Sequence, residues 1–546
     1  MKFSFALILT ALLGLRISAA EAQISKKDKN VSSILKNVNP SDLEAHVRYL
    51  ADDRLQGRLP GTPGYQIAVD YVVNHFKTAG VEPAGENNSY LQTVRLRKAF
   101  TNQQAAIALN DGRGNEENLK NGEDFILYPH FEDPQVSLQA PLVFVGSGIS
   151  APELNYDDYA GINVRGKIVV IRRGAPQSFP SSVAASSMNL NTLLQTALDH
   201  GAIGVIIGAP TNHVTAPKRI TGLRLPDGKM APSGSYISDK IKVLSVFNRQ
   251  RFNQLLQQAN LDTARIYTSL RTGKPASAEM PQVLKATYTN TYQDITSYNV
   301  IGKITGSDPV LKNEYVVHTA HLDHMGISTP VKGDSIYNGA HDNASGVACL
   351  LEISKLYTQL KNKPKRSVLI ALVTGEEMGL LGSSYFTMRP VVPVNSIVAN
   401  INTDMPTLIA PLLSVVALGA EHSSLSKQVK EAANYLNLSV ESDPEPEQNR
   451  FVRSDQYSFV KQGIPALHIK YGNKTADGAN NLNLTVQQWR ETYYHKPQDD
   501  INGIFDFKAG KTYTQLNFLI SYQVAQNVNQ PTWNPDSFFS KTATGK

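Results

Sequence analysis

With 546 residues, 41% of them hydrophobic and 18% charged, the chain has material for one large core and an accessory domain, which excludes a disordered protein. Its 53 Lys and Arg nearly offset 47 Asp and Glu, and the surplus of +6 is spread without a long basic run, so no nucleic-acid partner is expected. The single cysteine, Cys349, excludes an intramolecular disulfide and a cysteine zinc site, so any metal must be held by His and carboxylates.

The first 22 residues read as a signal peptide: Lys2 is a cationic start, Phe3 to Leu15 is apolar, and Ala20-Glu21-Ala22 offers small residues for cleavage before Gln23. Export to the periplasm or the medium is expected. No later segment approaches the ~20 apolar residues of a membrane span. From Pro40 to Ala79 the pattern predicts helices around a Gly- and Pro-rich turn, the first capped by Ser41 or Asp42 and the second carrying Ala68, Val72, Val73 and Phe76 at helical spacing. From about Gln135 short strands take over, at Leu142 to Val145, Lys167 to Ile171 and Gly204 to Ile207, with a helix over Leu193 to His200. After Asn299, strand candidates Tyr315 to Ala320, Val368 to Thr374, Ile397 to Thr403, Ser414 to Leu418 and Pro465 to Ile469 alternate with helices such as Asn343 to Leu360 and Ser423 to Leu436. Such alternation predicts an α/β domain, a central sheet with helices on both faces. The segment before residue 115 has no core of its own, so the β-rich piece is read as an insertion.

The polar clusters lie at the ends of predicted strands, where open α/β sheets place their sites. His321 in Ala320-His321-Leu322-Asp323-His324 can offer a ring nitrogen to a metal while Asp323 accepts the other ring N–H. Alone, such a pair is mostly structural. Gly339-Ala340-His341-Asp342-Asn343-Ala344-Ser345-Gly346 is a polar turn opening a helix, and Asp342 or Asn343 would cap it. A cap does not account for a second ligand-type cluster so close to the first. Gly375-Glu376-Glu377 ends an apolar strand, and adjacent side chains diverge, so one carboxylate can bind metal while the other moves protons. Asp404 ends the next strand and His495 lies in Tyr494-His495-Lys496-Pro497. This donor set suits zinc first, with manganese or cobalt as substitutes.

In order and spacing these runs, with Asn402-Thr403-Asp404-Met405, resemble the co-catalytic di-zinc aminopeptidase family, metallopeptidase family 28. Asp53-Arg54-Leu55-Gln56-Gly57-Arg58, Pro60-Gly61-Thr62 and Arg453-Ser454-Asp455-Gln456-Tyr457-Ser458-Phe459 look like that family too. The run from Val145 to Lys167, including Tyr156-Asp157-Asp158-Tyr159-Ala160-Gly161, together with Ile168-Val169 and Gly201-Ala202, resembles the protease-associated domain. The resemblances imply a zinc-dependent exopeptidase fold, a mixed central sheet flanked by helices, over residues 23–120 and 285–546, with a small β-rich protease-associated domain inserted over 135–265. They imply two zinc ions per chain, Asp342 bridging them, Glu377 and His495 completing one site, His321 and Asp404 the other, and a cis peptide between Asp342 and Asn343. Glu376 becomes the general base, and Tyr494 a hydrogen-bond donor to the oxyanion. His341 stands where many relatives carry an acidic residue or Asn, and a supporting or cleft-wall role is preferred to that of ligand; His324 is near the site without a role.

The expected substrate is a peptide with a free amino terminus. A carboxypeptidase or dipeptidase of the glutamate-releasing kind is the rival on the same fold, and Tyr494 to Asp500 looks closer to the aminopeptidase version. A non-catalytic receptor-like binding protein is the rival of another class, opposed by the intact ligand positions, and a single-zinc glutaminyl cyclase fits poorly with the inserted module. Nothing in the sequence indicates an oligomeric state.

Overall fold

The computed structural model describes residues 29–102, 104–215, 220–234 and 236–540; the expected signal peptide lies outside them. The strand candidates after Asn299 all form, with ends moved by one or two residues. Ser367–Val373, Tyr315–His321, Ile397–Asn402 and Ala466–Tyr471 run parallel as neighbours in that order. Ser414–Leu418 joins the far edge antiparallel to Ala466–Tyr471 and carries Ser439–Glu441 beyond it. On the near side the sheet continues antiparallel through the carboxyl half of a 27-residue strand, Ala278–Ile304, to Leu91–Thr101 and Thr221–Arg224. The parallel strands are buried along their whole length because helices cover both faces, which is why they read as unbroken apolar runs.

One face is packed by Pro40–Leu50, Pro63–Ala79, Ser345–Gln359 and Phe507–Gln526, which share a single core with the sheet residues Val316, Ile370 and Ile401. Cys349 lies fully buried in this core, and burial pushes its thiol up to about 12, so it serves packing. The first helix is capped by Asn39, whose side chain accepts the Ser41 N–H at 3.3 Å, rather than by Ser41 or Asp42: Pro40 takes the first helical position, where its missing N–H costs nothing.

The amino half of Ala278–Ile304 belongs to a second sheet, pairing with Gln135–Phe144 and Ala106–Asn110. That sheet goes on in parallel through Ile168–Arg172, Gly204–Gly208 and Val243–Phe247 and closes on Phe125–Leu127. Its own core includes Ile107, Leu119, Phe144, Phe247, Leu270 and Tyr288, so it reaches beyond 135–265 on both sides. Among the described residues, no helix is long and apolar enough to cross a membrane.

Candidate metal centre

Three parallel strands deliver the site at their carboxyl ends. His321 is the last residue of Tyr315–His321, Asp404 follows Ile397–Asn402, and Glu376 and Glu377 begin the short turn after Ser367–Val373. Asp342 comes from the tight segment Ala340–Ala344 that feeds the helix Ser345–Gln359, and the bond from Asp342 to Asn343 is cis. His495 enters from outside the sheet, just past the helix Leu482–Tyr493.

The two oxygens of Asp342 face different groups. Oδ1 is 3.2 Å from His321 Nε2, which is also 3.4 Å from Asp404 Oδ1. Oδ2 is 3.2 Å from His495 Nε2, itself 3.4 Å from Glu377 Oε2. Two groups of potential ligands therefore share Asp342: His321, Asp342 and Asp404, and His324, Asp342 and Glu377, with donor atoms within 4.8 Å of one another in each. His324 is the addition to the expected set. Its Nδ1 lies 2.6 Å from Glu377 Oε1, yet both atoms are buried without a hydrogen-bond partner. Buried, unpaired imidazole and carboxylate atoms facing one another are costly unless a cation sits among them. Nitrogen and carboxylate donors without thiolate fit zinc.

The charges in the cluster shape one another. Burial opposes ionisation of Asp342, but His321 and His495 beside it hold its carboxyl well below the usual range, and Asp404 is lowered by His321 against the same burial. Burial pushes the Glu376 carboxyl well above its usual range; His321 opposes the shift, and Asp404 and Glu377 add to it. Tyr494 lines the same cavity, its ring stacked on His495 at 3.8 Å between centroids. Burial and the nearby carboxylates raise its phenol, which therefore stays a proton donor.

The supporting residues differ from the expected ones in one respect. Asp323 orients His321 through its backbone carbonyl, 3.1 Å from Nδ1, while its carboxylate Oδ1 is 4.0 Å away. That oxygen accepts the Glu376 backbone N–H at 3.2 Å. Asn343 caps the following helix, its Oδ1 accepting from Gly346 N at 3.0 Å and Met405 N at 3.1 Å, which frees Asp342. His341 points away from the cluster: its ring stacks on Phe505 at 3.9 Å and meets the edge of Trp489, and Nδ1 is 3.2 Å from Asp499 Oδ1.

Asp499 and Arg58 carry roles that the sequence reading did not assign. The buried Asp499 carboxylate accepts the backbone N–H groups of His341 at 2.9 Å and Asp342 at 3.1 Å. The buried Arg58 guanidinium donates to the carbonyls of Leu322, Asn338 and Gly339 at 2.9, 2.6 and 3.0 Å and so ties the His321 and Asp342 loops together. The unassigned run Asp53 to Arg58 was the signal for it. Gly339, at φ +61°, is required: a Cβ would lie 2.1 Å from Asp342 O and 2.5 Å from the His324 ring. Lys470 donates to the Asp404 and Met405 carbonyls at 3.0 and 2.6 Å. Burial lowers its ammonium to about 7, against Asp404, with Arg450 and Arg490 adding repulsion.

Residues 299–516 match peptidase family M28. A Mycobacterium tuberculosis protein described as a probable lipoprotein aminopeptidase is 27% identical over 465 residues, 82% of this chain and 77% of that protein. A protein of Pyrenophora teres f. teres described as a probable zinc metalloprotease is 38% identical over 92 residues, and this chain spans only 18% of its length. An aminopeptidase of Aneurinibacillus sp. strain AM-1 has the same fold, with a TM-score of 0.51 at 18% identity over 93% of this chain and 99% of that one.

Proposed function

We propose that this M28 chain is an exported, zinc-dependent exopeptidase that removes the amino-terminal residue of peptides. The observation that carries the reading is the division of Asp342, one oxygen toward His321 and Asp404 and the other toward His495 and Glu377. Such a division would let the carboxylate serve two ions. His321 and Asp404 would hold one ion, Glu377 and His495 the other, and His324 stands ready on the Glu377 side. Zinc, when bound, lowers the pKa of water to ~7 and polarises a carbonyl.

The chain's own groups supply the rest. Glu376 takes the proton of the attacking water and hands it to the leaving amine. Its backbone N–H is held by the Asp323 carboxylate, which fixes the loop that carries it. The Tyr494 hydroxyl donates to the oxyanion. The substrate ammonium rests against the carboxylates of the cluster, which limits cleavage to the terminal residue. The second sheet is read as a protease-associated domain, and the amino-terminal 22 residues as a signal peptide.

Glu376→Ala is the test. Turnover of an aminoacyl fluorogenic substrate should fall by ~10²-fold or more, with zinc staying near two ions per chain. Retained activity, or loss of the metal, would overturn the base assignment. N-acetylated peptides should be inert, and hydrolysis of free and acetylated peptides alike would sink the aminopeptidase reading in favour of a carboxypeptidase. Amino-terminal sequencing of the exported protein should begin at Gln23.

A further inference from the structure

The cleft that holds the carboxylate cluster has cationic walls. Its cavity of about 450 Å³ is also lined by Arg173, Arg450, Arg453, Lys461 and Arg490. Arg450 is matched by Asp443 and by Glu445, the latter at 3.5 Å. Arg173 and Arg453 each reach only a backbone carbonyl at 3.3 Å, of Met188 and Gln448 respectively. Arg490 lies 4.6 Å over the Tyr494 ring, and Lys461 lies 5.5 Å from the Tyr457 ring. Among the described residues none of these four cations has a carboxylate partner.

The acidic groups of the cavity, Asp342, Glu376, Glu377 and Asp404, are all in the cluster, and two divalent ions held there would cancel their charge. The wall would then carry an unbalanced positive field in a cleft where low-dielectric sides focus it. A peptide entering with its ammonium toward the cluster is repelled by that wall unless it brings an anion at its other end. A residue of extended chain spans at most ~3.6 Å, and a cavity in the lower part of the ~300–1,000 Å³ range of small-molecule sites holds only a few residues. The terminal carboxylate of a very short peptide therefore falls inside the cleft, and that of a long one falls outside.

The inserted module supplies part of this wall. Arg173 follows its strand Ile168–Arg172, and Asn189, which caps its helix Leu190–Asp199, also faces the cavity. The module is held there by the bond between Ser186 Oγ and the Tyr457 hydroxyl at 2.7 Å.

We propose that the cleft selects short peptides bearing a carboxylate beyond the scissile bond, held by Arg490 from the catalytic side and Arg173 from the inserted module. The inference rests on the exopeptidase reading above. The carboxylate is either the peptide's own carboxyl terminus or an acidic side chain after the scissile bond, and the two are separable.

The zinc-loaded full chain would be assayed on Ala-Ala, Ala-Ala-amide, Ala-Asp-amide and an octapeptide. Free Ala-Ala should exceed its amide in kcat/KM by about tenfold or more, chiefly through KM. Recovery of the rate with Ala-Asp-amide assigns the acidic side chain as a source, and a slow Ala-Asp-amide assigns the carboxyl terminus. Arg490→Gln and Arg173→Gln should each shrink the acid-to-amide ratio; because Arg173 is exposed on the module, its variant remains informative if Arg490→Gln fails to fold. A ratio within about twofold of unity for the parent, with peptides still hydrolysed, overturns the clamp and leaves the exopeptidase standing. A ratio unchanged in both variants overturns the residue assignment. Hydrolysis of none of the four peptides overturns the exopeptidase reading and the clamp with it.

Discussion

Removing the Asp499 carboxylate should cost the protein both stability and metal affinity. Its two oxygens accept two buried backbone N–H groups, His341 at 2.9 Å and Asp342 at 3.1 Å, and Oδ1 also faces His341 Nδ1 at 3.2 Å. Each buried donor left without an acceptor costs ~1–3 kcal/mol. Asp499→Ala strands two N–H groups and gives back part of the cost of burying a carboxylate, so a net loss of ~2–4 kcal/mol is expected. Asp499→Asn keeps one acceptor and turns a donor toward the other N–H, for ~1–3 kcal/mol. Asp323→Asn is the milder comparison: that carboxylate accepts one N–H, from Glu376, which the amide oxygen keeps, while the new NH2 falls where Oδ2 has no partner among the described residues, for ~1 kcal/mol. Urea unfolding in chelator measures the stability of each variant. Competition titration with a zinc indicator should show zinc binding weakened by ~10- to 100-fold in the Asp499 variants, because the Asp342 backbone is no longer held. An Asp499→Ala protein that unfolds at the parent's urea concentration, or an Asp323→Asn protein as damaged as it, would refute the reasoning.

The two uncommitted histidines should separate in a metal assay: His341→Phe keeps its place between Phe505 and Trp489 and retains full zinc content, whereas His324→Ala weakens binding of the ion on the Glu377 side, as elemental analysis after dialysis would report. Gly339→Ala should yield protein with depleted metal and a lower urea midpoint, since its Cβ would press on Asp342 O and the His324 ring; parent-like zinc content would show that the loop can yield. His318 is fully buried, neither ring nitrogen has a hydrogen-bond partner among the described residues, and burial lowers it to about 3. A base whose folded pKa is depressed leaves the unfolded chain binding more protons, so its stabilisation is whole above pH 6.5 and is lost as pH falls from there toward 3, by at most roughly 5 kcal/mol. His318→Leu should flatten the urea midpoint against pH over that interval, and an unchanged slope would show that other groups drive the acid lability.

The acidic and histidine cluster was legible because its chemistry and its position coincide. His321, Glu376, Glu377 and Asp404 are polar residues that end apolar runs, and in a parallel sheet those ends converge on one edge. Asp499 was not legible: its function is to accept backbone N–H groups of a loop more than 150 residues earlier, and beside Asp500 it reads as a surface acid. Asp323 misled for a related cause, since spacing can bring a residue under a ring without saying whether its side chain or its carbonyl arrives. The long strand Ala278–Ile304 was not legible although its buried and open positions alternate through Ala286, Tyr288 and Asn290, because at 27 residues it is far longer than an ordinary strand and serves two sheets.

That strand bears on why the second sheet can take part in the cleft at all. A module joined by two loops would be free to swing, and Arg173 would have no fixed distance from the metal cluster. Here one continuous strand serves both sheets, its first half in the module and its second against Ser367–Val373, the strand that presents Glu376 and Glu377. Two further ties restrict rotation about it: Thr221–Arg224 leaves the module's sequence to pair with Leu91–Thr101 in the catalytic sheet, and Ser186 bonds to Tyr457 on the cleft wall. Beyond Thr221–Arg224 the same excursion brings Gly234 against the Glu376 turn, where a Cβ on Gly379 would lie 3.4 Å from the Gly234 Cα. With three separate attachments around one cleft, the module's side chains are placed about as firmly as those of the catalytic sheet, and a binding residue on it needs no closing motion to reach the substrate.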